Sequence, residues 1–163
     1  EISMIFQDPM TSLNPLYTIQ QQIEEMLILH TNLNDKERSA RCIELLNMVG
    51  IPNPEARLKS YPHQFSGGMR QRVIIAIALA ASPNLIIADE PTTALDVTIQ
   101  AQILDLMKNL VKTNNTSLIL ITHDLAVVSE MADRIVVMYC GKIIEQGSTF
   151  DILNKKLFPK TKG

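Results

Sequence analysis

The sequence predicts an α/β protein built on a mostly parallel sheet. Three observations lead there. Short apolar runs lie at 2–6, 85–88 and 117–121, stretches with helical spacing of apolar residues separate and follow them, and Asp89, Glu90 and His123 stand directly after two of the runs. Strands buried on both faces read as continuous apolar runs, and parallel sheets gather ligands at the carboxyl ends of their strands.

Taken in order, Ile2 to Phe6 reads as a strand, and Gln7-Asp8-Pro9-Met10-Thr11-Ser12-Leu13-Asn14-Pro15 as a loop rich in proline and capping residues. Apolar residues recur at helical spacing over 18–30 and 35–49, and Gly50 and Pro52 close the second stretch. Prolines interrupt 52–65, after which a third helix starts at Ser66-Gly67-Gly68 and runs to Ala81. Leu85–Ala88 is a compact strand ending in Asp89-Glu90-Pro91, and 97–112 is helical. Ser117–Ile121 reads as a buried strand ending at Thr122-His123-Asp124. A short helix over 125–132 and strands over 134–139 and 142–146 follow, with Gly141 as a hairpin turn residue. The last ten residues are basic and expected to fray.

Composition narrows the function. With 163 residues, 46% hydrophobic and 20% charged, the chain has the make-up of one globular domain rather than of a disordered or fibrous protein. A formal charge of −2 with scattered basic residues argues against direct nucleic-acid binding. Cys42 and Cys140 are far apart, with no spacing that suggests a disulfide framework or a zinc cage, as expected of a reducing, cytosolic compartment. The longest apolar run, 73–81, is about half of the roughly 20 residues that a membrane-spanning helix needs. The amino terminus has no secretion-signal features.

Several residues can carry chemistry. Asp89 and Glu90, at the mouth of an apolar strand, need a cation partner, for which magnesium-nucleotide is a natural candidate; the alternative is that they cap the next helix. Ser66-Gly67-Gly68 offers a hydroxyl, uncapped N–H groups, a positive helix end and no Cβ atoms, which suits a phosphate but also describes an ordinary N-cap. His123 can bond a phosphate oxygen or a water, or serve structurally. Gln7 can offer an amide oxygen to magnesium or lie idle on the surface. Met69 reads as helix filler, and His30 and His63 as structural or surface residues.

In their order and spacing these residues resemble the ABC transporter ATPase family. Phe6-Gln7-Asp8-Pro9 is similar to its Q-loop, Phe65-Ser66-Gly67-Gly68-Met69-Arg70-Gln71-Arg72 to its signature, Leu85–Pro91 to its Walker B segment, Ala94-Leu95-Asp96 to its D-loop and Thr122-His123-Asp124 to its H-loop. Met69, the segment 9–15 and the segment 89–100 resemble the oligopeptide, dipeptide and nickel importer branch, with peptide preferred over nickel. The resemblance implies a partial P-loop NTPase (RecA-like) core with an ABC-type helical subdomain. Its implied parts are a Q-loop region at 1–17, the helical subdomain with the signature at 18–81, core at 82–150, and the start of a carboxy-terminal extension at 151–163.

It also implies roles. Glu90 would be the general base, and His123 would position the γ-phosphate or the water. Asp89 and Gln7 would hold Mg2+. Gln7, Ser66, Gly67, Gly68 and Asp96 would contact ATP, the signature and Asp96 acting across a dimer. Implied partners are a second ABC ATPase subunit, identical or not, integral membrane permease subunits and, indirectly, a substrate-binding protein, with no nucleic acid. The implied location is the cytoplasmic face of a prokaryotic plasma membrane, and the implied activity is ATP hydrolysis that powers peptide import.

The sequence departs from the family in lacking the phosphate loop G-x-x-x-x-G-K-[ST] and the upstream aromatic residue that stacks on adenine. The expectation is therefore a truncated chain, inactive alone, with exposed apolar surface, an unpaired sheet edge and poor stability or self-association. Phe158-Pro159-Lys160-Thr161-Lys162-Gly163 resembles the beginning of the branch's extension, cut short. Two other readings are a non-transport ABC ATPase acting on DNA or ribosomes, and a catalytically dead module that completes a partner's ATP site.

Overall fold

The computed structural model describes residues 2–93 and 95–155. Ala94 and the basic tail from 156 lie outside the described residues. The chain divides into two compact units, 1–121 and 122–163.

In the first unit β1 (Ile2–Ile5), β2 (Leu85–Asp89) and β3 (Ser117–Ile121) form a parallel sheet in the order β1-β2-β3. The fold class is α/β with a parallel sheet, as expected. The register places Ile2 beside Leu85, Met4 beside Ile87, and Ile87 beside Ile119. One face, with Ile5, Ile86 and Ala88, is buried. On the other face Ile2, Met4, Ile119 and Ile121 are exposed. β3 was expected to be buried, but its alternate residues are open, because an apolar run reveals strand propensity and not which face is covered.

Helices α1 (Pro9–Ser12), α2 (Ile19–His30), α3 (Asp35–Met48), α4 (Pro54–Arg57) and α5 (Gly67–Ala80) follow β1, with a 3-10 turn at Pro62–Gln64, and α6 (Val97–Thr113) links β2 to β3. Reciprocal caps set two of the starts: Thr18 with Gln21, and Asn34 with Glu37. α3 ends in a left-handed glycine, Gly50 (φ 72), with the Ile51 N–H donating to the Leu46 carbonyl at 2.9 Å.

α5 is apolar on nearly all sides and is buried accordingly, packing against α2, α3, β1 and α6. The Arg72 guanidinium donates to the Val49 carbonyl at 2.7 Å, placing a cation at the C-terminus of α3. The prolines of 7–15 and 52–65 predict irregular chain, yet these segments hold α1, α4 and the 3-10 turn. Single turns of this kind rest on a few local bonds, such as Ser12 Oγ to the Asp8 carbonyl at 2.6 Å, and leave no periodicity to read.

The second unit contains α7 (Leu125–Met131), the antiparallel pair β4 (Arg134–Tyr139) and β5 (Lys142–Ser148), and α8 (Thr149–Lys155), a helix the sequence reading did not foresee. Cys140 (φ 48) and Gly141 (φ 74) make the two-residue turn, both left-handed, as a type I′ hairpin requires. No helix among the described residues is long and apolar enough to cross a membrane.

Burial lifts the Cys42 thiol from its ordinary 9.0 to about 12, with Glu24 adding to the rise and Arg38 opposing it. The unfolded chain therefore ionises first. Between pH 9.0 and about 12 the native state holds one more proton than the unfolded state, so this group's contribution to stability falls as pH rises through that window. Alkylation of the folded chain at neutral pH should modify exposed Cys140 and spare Cys42 until denaturant is added, as read by intact mass.

Candidate functional site

The carboxyl ends of β1 and β2 bring Gln7 and Glu90 together across 83 residues of sequence. Gln7 Nε2 donates to Glu90 Oε2 at 2.9 Å, and Thr93 Oγ1 donates to the same oxygen at 2.8 Å. The Glu90 N–H extends the ladder to the Ile121 carbonyl at 2.9 Å, while its φ of 44° turns the chain out of the strand. A left-handed glutamate costs on the order of 1 kcal/mol or more, a strain characteristic of functional turns. Asp89 is the last residue of β2 and is half-buried.

Beyond Glu90 the chain makes tight turns, with the Thr93 N–H donating to the Glu90 carbonyl at 3.1 Å and the Leu95 N–H to the Thr92 carbonyl at 3.2 Å. α6 starts only at Val97, and its cap is Asp96, whose Oδ1 accepts from the Ile99 N–H at 3.0 Å. Among the described residues it is thus Asp96, and not Asp89 or Glu90, that caps the helix after β2.

Ser66 caps α5 by accepting from the Met69 N–H at 3.3 Å. The two glycines that open this helix lie against the segment leading into α6. A Cβ on Gly67 would sit 3.4 Å from Leu95 Cδ2, and one on Gly68 would sit 2.6 Å from Ile99 Cγ2. Ser66 is thus an N-cap, one of the two roles its sequence allows, and at Gly68 the space left by the missing Cβ is taken up by helix packing inside the chain.

His123 belongs to the second unit and is exposed. The Asp124 N–H donates to Thr122 Oγ1 at 3.1 Å, and Asp124 caps α7 by accepting from the Ala126 N–H at 2.8 Å. Thr93 was missed in the sequence. The only signal was a hydroxyl three residues after a strand-end acid, a spacing that a turn closes.

Residues 1–93 match the ABC transporter family, and the chain belongs to that family. It is similar to the oligopeptide transport ATP-binding protein AppD of Bacillus subtilis, at 61% identity over all of this chain and 50% of that protein. It is also similar to the dipeptide transport ATP-binding protein DppD of Haemophilus influenzae, at 59% identity over 99% of this chain and 49% of that protein. Among solved structures it resembles the dimeric post-hydrolysis state of the ATP-binding cassette MJ0796 bound to ADP and Pi. That match has a TM-score of 0.78 and 32% identity, over 91% of this chain and 63% of the other. The chain spans about half the length of the curated relatives it matches.

Proposed function

We propose that this chain is part of an ATP-binding and ATP-hydrolysing subunit that powers peptide import through an ABC transporter. The observation that carries the reading is the strand-end glutamate, Glu90, held by Gln7 and Thr93 in a chain 61% identical to an oligopeptide transport ATP-binding protein. Glu90 accepts the proton of the attacking water. Ser66, Gly67 and Gly68 present the positive end of α5 to a γ-phosphate bound by a second ATPase subunit, and Asp96 acts across the same interface. His123 orients the γ-phosphate or the water.

The donors also suit magnesium, a hard cation that takes carboxylate and amide oxygens. Asp89 and Gln7 are the residues that would hold it, and when bound it neutralises charge on the phosphates. In this reading the chain comprises a Q-loop region (1–17), a helical subdomain (18–81), part of a RecA-like core (82–150) and the start of an extension (151–163). The partners are membrane permease subunits at the cytoplasmic face, supplied by a substrate-binding protein.

The test is magnesium-ATP turnover by the 163-residue chain beside the same chain joined to an upstream segment carrying a G-x-x-x-x-G-K-[ST] loop. Turnover only in the joined protein is the expected result. Hydrolysis by the 163 residues alone would mean that the phosphate site lies elsewhere.

A further inference from the structure

We propose that Thr93 is a positioning residue that fixes the Glu90 carboxylate for its reaction, an inference that rests on reading Glu90 as the general base. Thr93 holds Glu90 at two points. Its N–H donates to the Glu90 carbonyl at 3.1 Å, closing the turn, and its Oγ1 donates to Glu90 Oε2 at 2.8 Å. A carboxylate at the end of a flexible stem is not aimed by its own backbone, and at the Glu90 turn (φ 44) hydrogen-bond donors are what fix its oxygens.

Gln7 reaches the same oxygen, but from another element and through its own long side chain. Threonine is branched at Cβ and restricted at χ1, so its hydroxyl, on a short stem beside a bonded N–H, has few directions in which to point. The bond to the carboxylate is charge-assisted, the kind whose loss is felt most. A general base contributes in proportion to how well it is placed against the proton it takes, so a loosened Glu90 lowers turnover without lowering ATP affinity.

The test uses the phosphate-loop-bearing protein with Thr93→Val, Thr93→Ser, Glu90→Gln and the Glu90→Gln/Thr93→Val pair. Thr93→Val is expected to lower kcat about 10-fold or more with ATP binding unchanged, as loss of a hydrogen bond to a charged group implies. Thr93→Ser, which keeps the hydroxyl, should recover most of the loss, and Thr93→Val should add nothing once Glu90 is glutamine. Normal kcat in Thr93→Val with Glu90→Gln inactive would overturn the positioning role alone. Equal losses in the valine and serine variants, or a further loss in the pair, would also overturn it. Normal turnover in Glu90→Gln would remove the general-base reading and the positioning role with it.

Discussion

Glu90→Gln in the phosphate-loop-bearing protein is expected to lower ATP turnover by about 10²- to 10⁴-fold while leaving ATP binding intact. Glutamine has nearly the shape of glutamate, and its carbonyl oxygen can still accept from Gln7 and Thr93, the two donors that meet at Glu90 Oε2. What it loses is basicity. The variant therefore separates placement from proton transfer, and ATP-dependent dimers should accumulate because they form but do not turn over. Turnover is measured by phosphate release and binding by nucleotide titration. A variant that hydrolyses ATP near the normal rate would take the general-base role away from Glu90.

The second large effect is on stability. Gly68→Ala would place a Cβ 2.6 Å from Ile99 Cγ2, well inside contact distance. Two terms compete. Removing a glycine from a helix favours the folded chain by about 0.5–1 kcal/mol, whereas overpacking a tight contact costs about 1–3 kcal/mol. The clash should win, because Ile99 is branched at Cβ and sits in the first turn of α6, where it cannot swing aside cheaply. A fall in Tm of a few degrees, at about 2–4 °C per kcal/mol for a chain of this size, is the expected reading.

Adding Ile99→Ala should restore most of the loss. With folding recovered, any remaining defect in ATP-dependent dimerisation would report on the approach of a phosphate to Gly68. A Gly68→Ala chain as stable as the parent would show that the α5–α6 contact yields easily.

The parts of the fold legible in the sequence are those specified many times over. α2, α3, α5 and α6 each repeat an apolar pattern for three turns or more, and reciprocal caps at Thr18 and Asn34 mark where two of them begin. α1, α4 and the 3-10 turn are specified only once, by single bonds and by proline at an opening position, and so leave no pattern. Exposure of Ile119 and Ile121 was equally hidden, because what covers a sheet face is a property of the tertiary structure.

At the site, Gln7, Asp89 and Glu90 could be named because strand ends gather ligands. The bond between Gln7 and Glu90 could not, since nothing local ties residues 83 apart. Nor could the clearance at Gly68, which exists only when α6 is in place.

The same separation governs the order of events during synthesis. Ile2 pairs with Leu85, so β1 leaves the ribosome long before β2 exists. At about 5–20 residues per second the wait is on the order of 4–17 s, far longer than the microseconds in which α2 and α3 can close their turns. Through that interval the edge of β1 that β2 will take stays open, while the helices that follow it can already condense around one another. β2 then arrives to dock beside a strand made much earlier, and β3 can pair only after that. Among the described strands pairing therefore follows chain order, and vulnerability to chaperone capture or mispairing concentrates at the waiting edge of β1 rather than in the longer helical segments.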